Sequence, residues 1–304
     1  MQATSHILMI RPVHFGFNAE TASNNAFQVP GQDENAQEKA LSEFDSFVKV
    51  LRDNGVDVTV MNDTLMPHTP DSIFPNNWVS FHDDGSVCIY PMYAVNRRQE
   101  RKPGILEEIS KHFSITRKVD FSHYETDGLF LEGTGSMVLD RDQKIAYACL
   151  SPRTGLEVLN DFCRQLGYQS ISFHAVDQQG RAIYHTNVMM CVADRYVVVC
   201  LDSIRDKNER EKLTGSIKKS GKQEIDINLD QMNHFAGNML QVENKKGEKI
   251  LVMSTQAYES LNKDQIKILE SYNRILHASL LNIETNGGGS ARCMMAEIHL
   301  PFKK

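Results

Sequence analysis

Short apolar segments recur in the second half of the chain with nearly constant spacing. The four copies occupy positions 136–140, 188–192, 238–242 and 293–297. Each has methionine at its second position, and these methionines are 52, 50 and 55 residues apart: Met137, Met189, Met239 and Met294. A period near fifty residues is typical of one supersecondary unit repeated around a shared core. The pattern therefore predicts an array or a propeller.

Helical periodicity of apolar residues predicts about five helices, at roughly 34–54, 98–112, 155–166, 206–220 and 259–277. In the first of these, five apolar side chains share one face: Leu41, Phe44, Phe47, Val48 and Leu51. Asn54-Gly55 then provides a C-terminal stop. A strand of alternating residues follows at 56–60, and we expect a similar strand after each of the other helices.

Hairpins complete the repeated unit. Their turns are recognisable at 84–85, 140–143, 193–195 and 244–247, each between β-branched or apolar residues. A fifth hairpin would begin at Cys293, but only eleven residues follow it. The N-terminal segment 6–10 is predicted to supply the missing strand, because joining first and last strands removes exposed sheet edges.

Five such units predict an α/β fold, a five-bladed β/α-propeller of ββαβ units, forming a single domain over residues 1–304. A doubly wound α/β sheet is the alternative. In the propeller, the loops ahead of the first hairpin strands lie at one end of the central channel. Residues that are distant in sequence would meet there, from segments 75–78, 131–134, 184–187, 234–238 and the run into Cys293.

Composition excludes several classes of protein without naming one. With 304 residues, 41% hydrophobic and 24% charged, the chain is expected to fold as a soluble globular protein. Its apolar runs are too short to cross a bilayer and a signal-peptide pattern is missing, so we expect a cytoplasmic protein that contacts no membrane. A net charge of −6, without a basic run beyond the last two lysines, argues against nucleic acid as a partner. A homo-oligomer is compatible with the sequence.

Three side chains in the converging loops form a candidate catalytic set: Glu132, His185 and Cys293. A thiol, an imidazole and a carboxylate can act together in covalent and acid–base catalysis. A Gly-Gly-Gly-Ser run lies just ahead of Cys293, and glycine N–H groups can approach and stabilise a thiolate. The other cysteines are interpreted as small buried residues: Cys88, Cys149, Cys163, Cys191 and Cys200.

Taken singly, each member of this set has an ordinary structural interpretation. A lone histidine such as His185 is more often structural than catalytic, and Glu132 before a glycine could cap a turn. Gly133-Thr-Gly135 lacks the further residues of a phosphate loop, and neither His-Glu-x-x-His nor Cys-x-x-Cys occurs. We therefore expect neither a metal nor an organic cofactor.

Three motifs together resemble a known superfamily. Leu131-Glu-Gly133, Tyr184-His-Thr-Asn187 and Gly287-Gly-Gly-Ser-Ala-Arg-Cys293 are similar, in the right order, to motifs of guanidino-group-modifying enzymes. These include arginine deiminase, dimethylarginine dimethylaminohydrolase, glycine amidinotransferase and succinylarginine dihydrolase. The resemblance implies the pentein-type five-bladed propeller, with Cys293 as nucleophile, His185 as general acid/base and Glu132 as a substrate-binding carboxylate.

Two positions depart from the guanidine-binding members of that superfamily. Where those enzymes have aspartates that hold a guanidinium, this chain has Asn77 and Asn187. An asparagine offers both a donor and an acceptor, which suits a neutral ureido group. A small amino acid, most of all citrulline, is therefore the expected substrate. Asp71 lies six residues from Asn77 and is the other candidate for the first position.

The resemblance implies that Cys293 attacks the ureido carbon while His185 protonates the departing nitrogen. Citrulline would then yield ornithine, ammonia and carbon dioxide. Arginine deiminase, dimethylarginine hydrolase or amidinotransferase activity is the alternative within the superfamily, and a non-catalytic propeller that binds amino acids is the alternative outside it. Candidate anchors for the substrate carboxylate are Arg11, Arg181 and Arg292.

Overall fold

We describe the protein from a computed structural model, which covers residues 1–25, 27–28 and 35–303. Within these residues lie fifteen β-strands: β1 His6–Arg11, β2 Asp57–Asn62, β3 Val79–Phe81, β4 Ser86–Ile89, β5 Arg117–Asp120, β6 Val138–Asp140, β7 Ile145–Cys149, β8 Gln169–Phe173, β9 Met190–Val192, β10 Tyr196–Val199, β11 Gln223–Asp226, β12 Leu240–Glu243, β13 Lys249–Ser254, β14 Arg274–Ala278 and β15 Ala296–Glu297. They form five three-stranded sheets.

The same residues contain eleven α-helices, several of them only one turn long. They are α1 Ala19–Ala22, α2 Ala36–Asp53, α3 Pro103–His112, α4 Gly133–Ser136, α5 Leu156–Leu166, α6 Thr186–Met189, α7 Lys207–Lys219, α8 Leu229–Asn233, α9 Thr255–Ser260, α10 Lys263–Glu270 and α11 Leu281–Gly287. Short 3₁₀ turns lie at Pro75–Asn77, Asn96–Glu100, Ser122–Asp127 and Leu201–Ser203.

All five sheets have the same internal pairing. A middle strand is antiparallel to a first strand and parallel to a third, in the orders β15-β1-β2, β3-β4-β5, β6-β7-β8, β9-β10-β11 and β12-β13-β14. The parallel pair is joined through a helix, because a parallel connection needs a crossover. The repeated unit predicted from the methionine spacing is thus present, and the doubly wound alternative is wrong, since the strands do not form one continuous sheet.

The N-terminal strand completes the last unit. β1 pairs antiparallel with β15, where Ile7 lies opposite Glu297 and Leu8 opposite Ala296. On its other side β1 pairs parallel with β2 along its whole length. The predicted pairing of first and last strands is confirmed, and it leaves neither edge of β1 open to a partner.

Five crossover helices correspond to the five predicted from periodicity: α2, α3, α5, α7 and α10. The prediction of one helix over 259–277 is wrong in its extent. That stretch contains the end of α9, all of α10 and the start of β14, because Asn262 starts a new helix with a capping box to Gln265. The predicted start of the first helix at position 34 lies outside the described residues.

The first strands of several sheets lie beside one another. β15 lies beside β3, β6 beside β9, and β9 beside β12. The repeated methionines sit just ahead of these strands and are almost inaccessible to solvent: Met137, Met189, Met239 and Met294. The loops that lead into the first strands therefore end close together, which positions the candidate site. Among the described helices none is both long and apolar enough to cross a bilayer.

Candidate active site

Cys293 lies in a tight turn between α11 and β15. Its backbone N–H donates to the carbonyl of Ser290 at 3.0 Å. Gly288 ends α11 with a left-handed backbone at φ 63°, and its carbonyl accepts the Tyr184 hydroxyl at 2.6 Å. A Cβ on Gly287 or Gly289 would lie 2.9 Å from the Phe74 ring. The glycine run is therefore needed for close packing in this turn. Cys293 itself is only 3% exposed to solvent.

Two side-chain amides, rather than glycine N–H groups, contact the sulfur of Cys293. Asn187 Nδ2 lies 3.4 Å from Sγ and Asn238 Nδ2 lies 3.2 Å from it. Both asparagines are fully buried. Donors to the sulfur are thus present, but they are side-chain amides and not the backbone N–H groups expected from the sequence.

His185 and Glu132 form a direct pair. His185 Nε2 lies 2.7 Å from Glu132 Oε2, and Glu132 Oε1 accepts the backbone N–H of Tyr93 at 2.9 Å. Burial lowers the pKa of His185 to about 4 despite this carboxylate, so the imidazole is neutral at pH 7. Burial alone would raise the pKa of Glu132, but Arg153 and His185 hold it well below its usual range. Glu132 thus orients the imidazole in this structure.

Local sequence explains why Glu132 projects here. It precedes the single turn α4, and Gly133 follows with a positive φ of 47°. A Cβ on Gly133 would lie 2.3 Å from the backbone oxygen of Asn76. Only glycine permits this approach between the Glu132 loop and the Asn77 turn.

His185 and Cys293 line a small cavity, and two buried arginines, Arg97 and Arg153, line it as well. Arg97 makes a bidentate contact with Glu100, at 2.8 Å and 3.0 Å, and donates Nη1 to Asn77 Oδ1 at 2.9 Å. Arg153 lies 3.5 Å from Glu132 and stacks over the Tyr184 ring at 5.0 Å. Buried charges need partners, and these contacts provide them.

Both Asp71 and Asn77 line the cavity, so the structure brings together the two residues between which the sequence left a choice. Asp71 Oδ2 accepts hydrogen bonds from Asn18 at 2.8 Å and Thr21 at 3.1 Å. Burial raises the pKa of Asp71, against the opposing effect of Arg97.

Three side-chain atoms in this region are buried without a hydrogen-bond partner among the described residues; two belong to residues that line the cavity and one to Asn187, which contacts the sulfur of Cys293. They are Asp71 Oδ1, Asn77 Nδ2 and Asn187 Oδ1. Such atoms are uncommon in folded proteins, since each costs free energy unless something pairs with it. An acceptor of Asp71 and a donor of Asn77 are therefore available to a ligand in the cavity.

An N-terminal segment covers the cavity. Thr21 and Asn25 line it, and Asn25 Nδ2 donates to the carbonyl of Gly288 at 3.2 Å. Arg153 donates to Asn24 and, at 2.8 Å, to the carbonyl of Thr21. The free space beneath this cover is only about 10 Å³, roughly the room for one water. An amino acid needs more room than this, so side chains around the cavity must move when a substrate binds.

None of the three arginines predicted as substrate anchors contacts this cavity. Arg11 pairs through two hydrogen bonds with Asp45, and Arg181 is 60% exposed and pairs with Asp177. Arg292 turns its guanidinium away, to Glu297 at 2.7 Å. The structure corrects this part of the prediction, because each of these side chains satisfies a carboxylate elsewhere.

Sequence reasoning overlooked Arg97, Arg153 and Asn238. A signal existed for Asn238: it precedes the repeated methionine in the fourth unit, as Cys293 does in the last. No comparable pattern marks Arg97, which lies in the 3₁₀ turn Asn96–Glu100, or Arg153, which lies in the loop after β7. Their burial became apparent only in the folded chain.

A family profile described as N,N dimethylarginine dimethylhydrolase, eukaryotic, matches residues 11–300. The chain belongs to this family. It is therefore a member of the guanidino-modifying superfamily and a hydrolase of carbon–nitrogen bonds, as the resemblance predicted. No curated protein matches the chain.

Solved structures with this fold share little sequence with the chain. One is the N-terminal domain of ArgZ, an arginine dihydrolase from the ornithine-ammonia cycle in cyanobacteria, as a cysteine-to-serine variant bound to substrate. It is 17% identical with a TM-score of 0.76, over 97% of this chain and 98% of that one. ArgZ in its longer form is also 17% identical, with a TM-score of 0.75, and the match covers 98% of this chain but only 41% of ArgZ. The chain thus spans well under half of that protein.

A second kind of similar structure is a dimethylarginine dimethylaminohydrolase, as a histidine-to-glycine variant carrying an adduct with S-methyl-L-thiocitrulline. It is 14% identical with a TM-score of 0.65, over 98% of this chain and 100% of that one. Structural similarity at such low sequence identity establishes the fold alone. The fold is that of the α/β enzymes of the pentein type, which is consistent with the five repeated units.

Proposed function

We propose that this hydrolase acts on a ureido group, with citrulline as its substrate. One observation carries the proposal: Asn77 holds an unpartnered amide donor in the cavity. Its Oδ1 accepts from Arg97 Nη1 at 2.9 Å, and an arginine can only donate, so the amide cannot turn over. Nδ2 therefore remains the atom without a partner. A ligand that satisfies it must present an acceptor.

A guanidinium has donors only, whereas a ureido group has a carbonyl oxygen as well. The ureido oxygen would pair with Asn77 Nδ2, beside the imidazole of His185. A Cβ on Gly135 would lie 2.3 Å from Asn77 Nδ2 and 2.8 Å from His185 Nδ1, which supports this proximity. The ureido N–H groups would pair with the acceptors Asp71 Oδ1 and Asn187 Oδ1. The acceptor and the donors of the ureido group would then each face a complementary atom of the protein.

The α-carboxylate of the substrate would bind Arg153. Of the two arginines that line the cavity, Arg97 is committed to Glu100 and Asn77. Arg153 instead donates mainly to neutral groups of the cover, Asn24 and the Thr21 carbonyl. A carboxylate could replace these neutral acceptors, and a charge-assisted contact is the stronger one.

The proposed reaction begins with the neutral imidazole of His185 taking the proton of the Cys293 thiol. The thiolate attacks the ureido carbon, and a carbon–sulfur bond forms. His185 then delivers its proton to the δ-nitrogen of the substrate, the carbon–nitrogen bond breaks, and ornithine leaves. A carbamoyl group remains on the sulfur of Cys293.

Water completes the cycle. His185, neutral again, accepts a proton from a water that attacks the carbamoyl carbon, and the carbon–sulfur bond breaks. The thiol is restored and carbamate is released, which decomposes to ammonia and carbon dioxide. Glu132 holds the imidazole in place through both steps and favours its protonated form when it carries the proton.

This assignment suits a ring arrangement of the five units. We propose that the sheets surround a central axis as a five-bladed β/α-propeller, with the first strands innermost. The closeness of β15 to β3 and of β9 to both β6 and β12 supports it. Glu132, His185 and Cys293 would then lie at one end of that axis.

The test compares Asn77→Asp with the wild type on citrulline and arginine. The carboxylate keeps the acceptor for Arg97 but removes the donor and adds a negative charge. Catalytic efficiency with citrulline should fall roughly ten- to a hundredfold, and the arginine-to-citrulline ratio should rise by a similar factor. Ornithine and ammonia release are measured for both substrates. Asn187→Asp changes the ratio in the same direction but also disturbs the sulfur of Cys293, which makes it less specific.

Asn77→Ala serves as the matched variant, since it removes the donor without adding charge. It should lose citrulline turnover without improving the relative use of arginine. A wild-type enzyme that already prefers arginine, or an unchanged ratio in Asn77→Asp, would overturn the citrulline assignment.

Arginine is the second candidate substrate, favoured by the carboxylate of Asp71 in the cavity. The ArgZ relative is described as an arginine dihydrolase, which supports the same alternative. Stoichiometry separates the cases. Citrulline hydrolysis releases equal amounts of ornithine and ammonia, arginine hydrolysed twice releases two ammonia for each ornithine, and a deiminase releases ammonia without ornithine.

A further inference from the structure

We propose that Asn238 is a further catalytic residue, the donor that stabilises the thiolate of Cys293. This inference rests on the proposed role of Cys293 as nucleophile and goes beyond it by assigning the group that makes the sulfur reactive. Asn238 Nδ2 lies 3.2 Å from Sγ. Asn238 is completely buried, and Cys293 is 3% exposed, so little water is available to solvate the anion.

The orientation of the Asn238 amide is determined by its other contacts. Oδ1 accepts the backbone N–H of Arg292 at 3.0 Å. Nδ2 donates one hydrogen to the carbonyl of Asn187 at 2.9 Å, which leaves its second hydrogen for Sγ. Turning the amide over would place two oxygens together and two N–H groups together. Asn238 can therefore meet the sulfur only as a donor.

Asn187 differs in this respect, although it also contacts Sγ. Its Nδ2 lies 3.4 Å from the sulfur, but its Oδ1 has no partner among the described residues. No second contact determines the orientation of this amide, so it can serve the substrate as well as the sulfur. Asn238, with every amide function engaged, can serve only the sulfur and the turn that carries it.

The repeat explains how the two residues come together. Asn238 and Cys293 occupy the same position in neighbouring copies of the methionine pattern, each just ahead of a first strand of its sheet. The contact with the Arg292 N–H links Asn238 to the residue immediately before the nucleophile. One amide thus both holds the turn and donates to the sulfur.

The test measures how fast iodoacetamide alkylates Cys293 in Asn238→Asp and in the wild type, by mass spectrometry of the labelled peptide. Aspartate keeps an acceptor for the Arg292 N–H but replaces the donor with a negative oxygen. Because the thiolate is the reactive form, the alkylation rate at pH 7 should fall by about ten- to a hundredfold. At high pH, where the thiol ionises in both proteins, the two rates should converge. A purely structural role for Asn238 would not produce this convergence.

Asn273→Asp is the matched control. Asn273 is also buried and hydrogen-bonded, to Tyr196 at 2.8 Å and Gln241 at 3.0 Å, but it does not contact the sulfur. This variant should alkylate at the wild-type rate. Asn238→Ala, which removes the donor without adding charge, should be slower than the wild type at pH 7 and converge with it in the same way. Melting temperatures identify any variant that has lost its fold.

Equal alkylation rates at pH 7 in the wild type, Asn238→Asp and Asn238→Ala would overturn the proposal. So would a loss in Asn238→Asp that persists undiminished at high pH. The readout does not depend on the substrate, so a failed citrulline assignment leaves it intact. Cys293→Ser provides the blank: full turnover in that variant would refute the nucleophile itself.

Discussion

The buried polar groups around Gln2 and Glu297, at one end of the first strands, are paired more completely than those around Cys293 at the other end. At the end opposite the site, Glu297 accepts from Arg292 at 2.7 Å and lies 3.4 Å from His299 and 3.6 Å from Arg141. Gln2 also lies there, between two sheets. Its Nε2 donates to the carbonyls of Leu139 at 2.9 Å and Val192 at 3.0 Å, and its Oε1 accepts the Arg141 N–H at 2.8 Å.

At the site end, the charged groups are paired, but three atoms of the candidate site residues have no hydrogen-bond partner among the described residues: Asp71 Oδ1, Asn77 Nδ2 and Asn187 Oδ1. Each unsatisfied buried group destabilises the folded state by roughly 1–3 kcal/mol. A protein selected only for stability would have paired them, as it has paired Gln2. The hydrogen bonds of Gln2 and Glu297 hold strands together, whereas the three unmet atoms at the site are left for a ligand. The contrast is between these two clusters, since Ser86 Oγ at the start of β4 is also buried without a partner among the described residues.

The largest effect is expected at the site end, on the KM for citrulline. Arg153→Gln should raise KM for citrulline by roughly ten- to a hundredfold, because the α-carboxylate loses a charge-assisted contact. Steady-state kinetics with citrulline and with butylurea, which has a ureido group but no α-carboxylate, measure this directly. The variant and the wild type should treat butylurea alike.

The matched control is Arg181→Gln, at the exposed pair with Asp177. It should leave KM for citrulline unchanged. If Arg153→Gln weakened butylurea and citrulline equally, Arg153 would act on the shape of the site rather than on the carboxylate.

A smaller effect, on stability rather than turnover, is expected at the opposite end. Gln2→Ala removes three hydrogen bonds that join two sheets, so the free energy of unfolding should fall by about 1–3 kcal/mol. Denaturant titration measures the loss, and catalytic efficiency with citrulline should stay within about twofold of the wild type. A drop in turnover at unchanged stability would mean that the two ends are coupled.

The smallest effect concerns pH. Burial lowers the pKa of His185 to about 4, so the base is already neutral well below pH 7. Catalytic efficiency should therefore change little between pH 7 and 5 and decline only as the pH approaches 4. An acidic limb centred near 6.5, the ordinary value for histidine, would contradict this environment.

Stability should follow a different course over the same range. Below about pH 6.5 the unfolded chain binds a proton at His185 that the folded protein does not, so the free energy of unfolding falls as the pH drops toward 4. Glu132, whose pKa is lowered in the folded state, adds to the loss once the pH falls below its unfolded value. Thermal melts between pH 7 and 4 distinguish this decline from the flat activity.

Much of the fold could be predicted from the sequence, because the signal is periodic. The methionine spacing and the five helical stretches indicated a repeated unit, and the missing partner of the last hairpin indicated the pairing of β1 with β15. The boundaries of the helices were harder to predict. The break at Asn262 depends on a capping box that divides one apolar stretch into two helices.

The candidate site was predictable only where motifs carried it. Cys293, His185 and Glu132 lie on loops that the repeat brings to one place, and the five remaining cysteines are buried as expected. Burial raises the pKa of Cys88, Cys149 and Cys191 to about 12, which keeps them as thiols. The arginines were misassigned, because nothing in a sequence distinguishes a guanidinium that faces a cavity from one that meets a surface carboxylate.

The sequence by itself determined the repeated unit, the order of the motifs and the identity of the nucleophile candidate, since these depend on spacing along the chain. Only the tertiary structure decided which polar atoms face the cavity and which are already paired. Hydrogen-bond partners such as Arg97 with Asn77, or Asn238 with the Arg292 N–H, are separated by 20 to 54 positions in sequence. The direction of an amide therefore depends on contacts that exist only after folding, and that direction sets the donors and acceptors offered to a substrate.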